Sequence, residues 1–377
     1  MTPQSQETHL DGAQGDNAAS AEAEVDLGAS NRYESGLSRR RRVLSVLGPR
    51  NISAAYALIA IIIIFTLWSG RTFASTSTLK NVLDNYSISG MIAISLILPL
   101  TCRMFDLSIG STVSLTGICV GEMLANNWNP VVVALIGVGI GLAVGVINVL
   151  VVILLGIDSF IGTLATSSII ASLALAVSEN VLSSPGLSRF NFSQHVALGL
   201  TLPVWILICV MLILGIVLDY TFVGRFYYAT GFNSDSARLA GVPTLRIQSI
   251  SFLFSGVVAA FAGVMLVSNV GAADPNVGSN YLIPAFAAAF LGATQFRRGR
   301  FNTWGTVLTV MLLGTVSQGL VIAGAPEWAE NVIVGILLIA AVAASAESHL
   351  PPSLARARRS LRSMLRRTGT DPVHRGY

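Results

Sequence analysis

Charged residues are scarce in this chain: only 11% of its 377 residues are Asp, Glu, Lys or Arg. A soluble domain carries about 25% charged residues, whereas 53% of this sequence is hydrophobic. This composition excludes an ordinary soluble protein, so we expect most of the chain to lie in lipid. The formal net charge of +4 does not indicate a nucleic-acid partner, because the arginines flank the apolar runs as they do at membrane borders.

Cysteine, histidine and lysine are also rare. The three cysteines, Cys102, Cys119 and Cys209, lie in or beside apolar runs at spacings that match no metal site, which favours free thiols. The four histidines are scattered along the chain. Lys80 is the one lysine, and the sequence has no phosphate-binding G-x-x-x-x-G-K-[ST] loop, which requires a lysine after its glycines. We therefore expect no metal or cofactor on this chain, and any ATP and Mg²⁺ on a separate ATPase polypeptide.

Long apolar runs are abundant. A helix needs about 20 apolar residues to cross the hydrocarbon. Such runs predict an all-α, polytopic membrane protein with about ten transmembrane helices, near residues 53–70, 87–101, 107–125, 131–155, 160–178, 203–220, 248–268, 281–294, 304–324 and 331–346. The second and eighth runs are short. Only a few residues around "CRMFDLS" separate the second run from the third, so we expect one of these two to be broken or re-entrant.

Basic residues set the predicted orientation. With the amino terminus inside, only Arg71, Lys80 and Arg189 of the 23 basic residues fall outside the membrane, which satisfies the positive-inside rule and puts both termini in the cytoplasm. Residues 1–45 are polar and lack apolar periodicity, and so predict a disordered cytoplasmic tail. The predicted membrane domain spans 46–348, with a cytoplasmic loop at 221–247, and residues 349–377 form a basic cytoplasmic tail.

Small residues recur at helical spacing in two of the runs: Gly137, Gly141 and Gly145, then Gly256, Ala260 and Gly263. Small side chains at this spacing allow helix backbones to approach closely in lipid. The pattern predicts bundle packing at these positions; the alternative is a substrate pathway that borders the glycines.

Ionisable residues are almost absent from the centres of the runs, where each costs about 2.5–3.5 kcal/mol on insertion scales. This counts against a proton-coupled carrier and leaves hydroxyls and amides as candidates for a polar pathway. The candidate pathway residues are Asp106, Ser108, Ser111, Asn148, Phe160, Thr163, Thr166 and Gln318.

The polar stretch "GRFYYATGFNSDSARLAGVP" at 224–243 separates the sixth and seventh runs. Asn233 or Ser234 can cap a short helix, and Gly241 fits a left-handed stop. The pattern predicts one or two helical turns parallel to the membrane that present Ala237 and Arg238. A plain surface loop is the alternative.

This stretch resembles the cytoplasmic coupling loop of ABC importer permeases of the ribose/monosaccharide type, in the branched-chain permease superfamily. Three further stretches resemble the same family in the same order: "ISGMIAISLILPLTCRMFDLSIGSTVSLTG", "GVINVLVVILLGIDSFIGTLAT" and "QGLVIAGAPEWAENVIVGILLIAAV". Together they extend the resemblance over nearly all ten runs. In the coupling loop, the resemblance implies that contact with the ATPase involves Gly224, Arg225, Gly231, Asn233, Asp235, Ala237, Arg238 and Gly241.

The resemblance implies a transport subunit without enzymatic activity, in a bacterial plasma membrane. Its expected partners are an ABC ATPase subunit, an extracytoplasmic solute-binding protein, a second permease subunit that is identical or different, and membrane lipid. A monosaccharide or related polyol is the expected solute. Two alternatives stay open: a secondary carrier or facilitator without an ATPase, and a membrane scaffold or receptor component that transports nothing.

Three positions depart from the family's pattern. Met104 and Phe105 stand where a glycine pair usually precedes the aspartate, and Asp158 stands where proline is common. The turn after the eighth run, "LGATQFRRGRFNTWGT", has fewer glycines than usual and three arginines, which predicts a stiffer and more basic turn.

Overall fold

The computed structural model describes residues 53–296 and 299–346. The predicted tails, 1–45 and 349–377, lie outside the described residues. The described part of the chain forms fourteen α-helices: α1 Ser53–Ser69, α2 Thr76–Ser95, α3 Ile97–Thr101, α4 Ile109–Ala125, α5 Pro130–Asn148, α6 Ser159–Val177, α7 Pro185–Arg189, α8 Leu202–Tyr220, α9 Phe222–Phe232, α10 Ser234–Leu239, α11 Thr244–Val270, α12 Ser279–Ala293, α13 Thr303–Ile322 and α14 Glu327–Ala346.

Two short strands are the exception to the predicted all-α class. Val196–Ala197 and Leu200–Thr201 pair as an antiparallel hairpin before α8. Leu198 and Gly199 make its two-residue turn with φ of 52° and 82°, the positive values that such tight hairpins need.

Each predicted apolar run coincides with a helical stretch. The second run differs most: its helix begins at Thr76, where the Ser75 hydroxyl caps the first turn by accepting from the Thr78 N–H at 3.2 Å. With α3, which follows after a break at Leu96, the stretch Thr76–Thr101 has 26 residues. The prediction of a short second run is therefore wrong, because the segment before the run is capped and has apolar residues at helical spacing, at Leu79, Val82, Leu83 and Tyr86.

Six helical stretches in the described residues are long and apolar enough to cross a membrane: Thr76–Thr101, Pro130–Leu154, Ser159–Val177, Leu202–Tyr220, Thr244–Val270 and Thr303–Ile322. Four shorter apolar helices accompany them: Ser53–Ser69, Ile109–Ala125, Ser279–Ala293 and Trp328–Val342. The chain is thus a multi-pass helical membrane protein. The count of ten spans stays a prediction.

Helix α11 is the centre of the packing and contacts α5, α4 and α2. At Gly141 of α5, a Cβ atom would overlap the Gly256 carbonyl and the Ala260 methyl group of α11. At Gly145 it would lie 2.8 Å from the Phe252 carbonyl oxygen. The predicted close approach of helix backbones is confirmed here, and such contact leaves no room for a solute beside Gly141.

The second set of small residues divides between two neighbours. Gly256 and Ala260 face α5, but a Cβ at Gly263 would lie 2.8 Å from the Val113 carbonyl oxygen of α4. Helix α11 therefore packs against both α5 and α4 through small residues on adjacent faces.

The segment between α5 and α6 is irregular. A π-helical turn, Val149–Leu154, continues α5. Gly156 then takes a positive φ of 69°, and the Asp158 carboxylate accepts from the Phe160 and Ile161 N–H groups at 3.0 and 3.3 Å. Asp158 thus starts α6 as a side-chain cap, which is a structural reason for an acid where proline is common.

Candidate functional site

The turn between α3 and α4 contains a buried carboxylate. Asp106 is 0% exposed, and its Oδ1 atom accepts from the Ser108 hydroxyl at 2.6 Å and from the Ser108 N–H at 3.0 Å. Asn148, the last residue of α5, donates from Nδ2 to the Ser108 hydroxyl at 2.7 Å and to Asp106 Oδ1 at 3.3 Å. The structure therefore brings these three sequence-predicted residues together.

Helix α6 holds the same turn from the other side. Ser159 accepts from the Phe105 N–H at 3.1 Å, and Thr163 accepts from the Leu107 N–H at 3.0 Å. We call Asp106, Ser108, Asn148, Ser159 and Thr163 the polar junction. Sequence reasoning missed Ser159, although its position four residues before Thr163 on one helix face was a usable signal.

Part of the polar junction has no hydrogen-bond partner. Asn148 Oδ1 is buried and has no hydrogen-bond partner within the described residues. The Ser255 hydroxyl of α11 interacts with the Asp106 carboxylate, although the pair does not reach full hydrogen-bond geometry. An unpaired buried polar atom costs about 1–3 kcal/mol, and more for a charged group. The polar junction is therefore held together by specific bonds but is not fully satisfied.

Of the other four predicted pathway residues, Ser111, Thr166 and Phe160 lie on α4 and α6, and Gln318 lies on α13. Ser111 and Thr166 donate to backbone carbonyls of their own surroundings, Ser108 O at 2.9 Å and Gly162 O at 3.0 Å. Phe160 is 49% exposed and contacts Phe105 edge to face at 6.1 Å. Gln318 lies elsewhere, at a cavity on α13, so the structure does not bring it to the polar junction.

That cavity, which we call the α13 cavity, lies between α2, α12, α13 and α14 and has a volume of about 360 Å³. The Tyr86 hydroxyl donates to Glu330 Oε1 at 3.2 Å across it. A Cβ at Gly314 would lie 2.5 Å from the Tyr86 ring, so the glycine lets the ring lie flat against α13. The polar and aromatic residues at its wall include Tyr86, Asn280, Tyr281, Ser317, Gln318 and Glu330.

The loop between α8 and α11 contains the predicted short helix, α10. Asn233 caps it by accepting from the Ser236 N–H at 2.9 Å, and Gly241 follows it with a φ of 86°. Both local predictions are confirmed.

One face of α10 is exposed. The side chains of Arg238 and Asp235 are 67% and 90% exposed. Arg238 Nη2 lies 3.9 Å from Asp235 Oδ1, so the two form a weak surface ion pair. Phe232, the last residue of α9, and Leu239, the last residue of α10, are 82% and 89% exposed. We call Phe232, Asp235, Arg238 and Leu239 the α10 face. Large exposed apolar side chains beside charges are typical of a surface that binds another protein.

Ala237 does not belong to this face. Its side chain is only 7% exposed because α10 packs against α9 and α11, and the small residue occupies the inward side. The expectation that Ala237 is presented to a partner is therefore wrong.

Two glycines of the predicted coupling set are also buried. A Cβ at Gly231 would overlap the Thr101 carbonyl at the end of α3, and one at Gly224 would overlap the Leu218 carbonyl. Neither glycine is placed for direct contact with a partner; Gly231 instead joins α9 to the turn that leads to Asp106. Tyr227 of α9 is 2% exposed, and burial raises the pKa of its hydroxyl to about 12.

The turn before α13 is tied to α9. The Tyr228 hydroxyl donates to the Phe301 carbonyl at 2.9 Å, and the Arg300 guanidinium lies 5.3 Å from the centre of the Tyr228 ring. Asn302 Nδ2 donates to the carbonyls of Gly292, Gln295 and Arg300, while its Oδ1 caps α13. These bonds support the predicted stiff turn. Arg297 and Arg298 lie outside the described residues.

Phenylalanine rings connect this turn to the polar junction. The ring centres of Phe301 and Phe290 are 5.3 Å apart, and those of Phe290 and Phe105 are 6.5 Å apart. Phe105 adjoins Asp106 in the chain. Sequence reasoning missed this contact path because the three rings come from three separate segments.

The described residues contain no group of three or more His, Cys, Asp and Glu side chains that could hold a metal ion. The described residues instead form a hydrogen-bonded polar junction, closely packed helices and the exposed α10 face, which suits a protein partner.

Comparison with known proteins gives the family. Residues 78–342 match the profile described as the permease component of the branched-chain amino acid transport system. The chain belongs to this permease family. It is therefore a permease subunit and not an enzyme, and ATP hydrolysis belongs to a separate chain. The family generally works with an ATPase and a solute-binding protein.

Several curated relatives are similar over most of their length. The chain is 29% identical to the D-allose transport system permease protein of Escherichia coli (strain K12), covering 84% of this chain and 98% of that protein. It is 27% identical to the ribose import permease protein of the same strain, covering 76% and 91%. It is 30% identical to that strain's L-arabinose transport system permease protein, covering 72% and 83%.

Proposed function

We propose that this subunit carries a monosaccharide or related polyol through the plasma membrane of a bacterium, as part of an ABC importer. The observation that supports this solute is the long match to three permeases named for D-allose, ribose and L-arabinose. The proposed assembly has two permease subunits, two ATPase subunits that bind ATP and Mg²⁺, and an external solute-binding protein. The proposed topology has ten spans with both termini in the cytoplasm, where 20 of the 23 basic residues then lie.

The proposed contact with the ATPase is the α10 face. Its two exposed apolar residues, Phe232 and Leu239, supply area that a partner can bury, and Arg238 supplies a charge that a complementary groove can pair. Asn233 and Gly241 fix where the helix begins and ends, so the face is held in one orientation.

The proposed path of the motion runs through backbone contacts. Movement of α10 is passed to α9, whose Gly231 touches the Thr101 carbonyl of α3. The turn after α3 holds Asp106, which bonds with Ser108 and lies 3.3 Å from Asn148. Packed elements transmit displacement well because protein interiors are dense.

The polar junction is then the proposed point of rearrangement. Its unpaired atom, Asn148 Oδ1, gains a partner if the helices around it shift toward water or solute. Alternating access requires two arrangements of similar free energy. Unsatisfied groups at the junction raise the free energy of one arrangement, which reduces the free-energy difference between the two. In this mechanism, the pathway residues near Asp106 contribute by rearranging when the helices shift.

Uptake measurements test the solute. Cells that carry or lack this gene are given radiolabelled D-ribose, D-allose and L-arabinose. The proposal predicts that deletion lowers uptake of at least one sugar and that depleting cellular ATP lowers it equally. Unchanged uptake of all three neutral sugars and of related polyols would contradict a sugar or polyol substrate.

A further inference from the structure

The α13 cavity has features of a binding site. We propose that it holds one neutral polyhydroxylated solute within a single permease subunit, at the outer side; this rests on the proposed function and names a place in the permease where its solute binds after leaving the solute-binding protein. The cavity's volume of about 360 Å³ falls at the lower end of the range of about 300–1,000 Å³ that small-molecule pockets occupy.

The chemistry of the wall suits sugar hydroxyls. Asn280 and Gln318 each offer an amide that donates and accepts, Ser317 offers a hydroxyl, and Glu330 offers a carboxylate that accepts only. Pro284, also at the wall, has no N–H to donate to the carbonyl of Asn280 one turn earlier, so this oxygen lacks its usual helical partner.

Two tyrosines supply the flat apolar surface that a sugar ring needs. Tyr86 and Tyr281 both line the cavity. The Tyr86 ring is fixed at both ends, by its hydroxyl bond to Glu330 at 3.2 Å and by its contact with Gly314. A ring that is already held loses little freedom when a ligand stacks on it.

Charge at the cavity favours a neutral solute over an anion. Glu330 is the one ionisable acid at the described wall, and no Lys, Arg or His among the described lining residues offsets it. Bringing an anionic sugar acid beside a carboxylate that has no cation in the described wall is repulsive, and rejection of this kind contributes specificity.

The location fits access from outside. The cavity is lined from the first half of α14 and the middle of α2, and from the outer ends of α12 and α13 inward to their middle, at Ala288 and Val310. The start of α12, the end of α13 and the start of α14 are the outer ends in the proposed topology. The cavity is also separate from the polar junction, so one subunit has an outer polar region and a second one nearer the cytoplasm.

Direct binding to the purified permease tests the site without the ATPase or the solute-binding protein. The protein is placed in lipid nanodiscs and titrated calorimetrically with D-ribose, D-allose and L-arabinose, and with D-ribonate as the anion. We expect at least one neutral sugar to bind and D-ribonate not to bind. Ser89→Phe, which fills the cavity from α2, should abolish sugar binding. Asn81→Phe is the control, because it adds the same bulk at an exposed position of the same helix outside the cavity.

Glu330→Gln gives a milder second variant that keeps an acceptor for the Tyr86 hydroxyl. Loss of the charged acceptor should weaken sugar binding about tenfold and allow D-ribonate to bind. Equal sugar binding by Ser89→Phe and Asn81→Phe would overturn the site. If no sugar binds while gene-dependent sugar uptake by cells persists, the site is wrong and the proposed function stands. If gene-dependent uptake is also absent, the proposed function fails.

Discussion

Gly141 shows how a single hydrogen atom in place of a side chain sets the distance between two helices. Its backbone lies against Gly256 and Ala260 of α11. A Cβ atom at Gly139, two residues earlier on the same helix, would instead have no neighbouring atom within 4 Å. The two glycines are therefore a matched pair, one in contact and one in open space.

We expect Gly141→Ala to destabilise the protein by about 1–3 kcal/mol because the added methyl group overpacks the contact with α11. Gly139→Ala should be neutral or slightly stabilising, since alanine favours helix. The measurement is the thermal unfolding temperature of the two purified variants in the same detergent. Equal unfolding temperatures would show that α5 and α11 are not in contact at Gly141.

Asn148 and Gln318 carry the same functional group in different surroundings. Asn148→Leu removes the amide that bonds to Ser108 and Asp106, and leaving buried polar groups without a partner costs about 1–3 kcal/mol. We expect the Asn148→Leu protein to be purified in low yield and to unfold at a lower temperature than the wild type. Gln318→Leu, at the cavity wall, should leave yield unchanged and reduce uptake. The same stability loss in both variants would contradict this division.

At the scale of the element, local patterns in the sequence predict most of what is observed. Apolar runs locate the long helices because burial in lipid acts on each segment independently. Cap chemistry locates α10, because Asn233 and Gly241 act on neighbouring backbone groups. Small residues predict the α5 and α11 contact for the same local reason.

Features that depend on distant parts of the chain were not predictable in this way. The burial of Ala237 depends on which side of α10 faces α9 and α11. The separation of Gln318 from Asp106 depends on how α13 packs relative to α4. The spacing of Ser159 and Thr163 indicates that they share a helix face, but not that Ser159 bonds to Phe105, 54 positions earlier in the chain.

The contact between α9 and α3 gives a prediction about transmission. Gly231→Val introduces a side chain where the Thr101 carbonyl lies, so α9 must move away from α3 while the α10 face stays intact. We expect ATPase binding to be retained and uptake to fall. Ala240→Val, at an exposed position of the same loop, is the control and should transport normally. Normal uptake by Gly231→Val would remove this contact from the mechanism.

At the scale of the whole molecule, the topology is the first property to test. Reporter fusions at Gly231, Arg298 and Arg358 should report the cytoplasm, and fusions at Ser188 and Asn276 should report the outside. The reason is the strong bias of basic residues toward one set of loops. A cytoplasmic signal from Ser188 would contradict the ten-span arrangement.

The central claim is that the α10 face joins this permease to its ATPase. Because Ala237 is buried, a bulky residue there would disturb the loop itself, so the sharper change is at exposed positions. Arg238→Glu with Leu239→Glu reverses a charge and removes an apolar anchor without touching the spans. Arg189→Glu with Leu198→Glu makes the same two changes in the loop before α8, where Leu198 is 90% exposed.

The decisive measurement is the amount of ATPase that co-purifies with each double variant at matched membrane levels. A lost charged contact at an interface costs about 2–5 kcal/mol, which weakens association roughly 30-fold or more. The account predicts that Arg238→Glu with Leu239→Glu inserts normally and loses the ATPase, while the control variant retains it. Wild-type recovery of the ATPase with the α10 variant would contradict the assignment of this face.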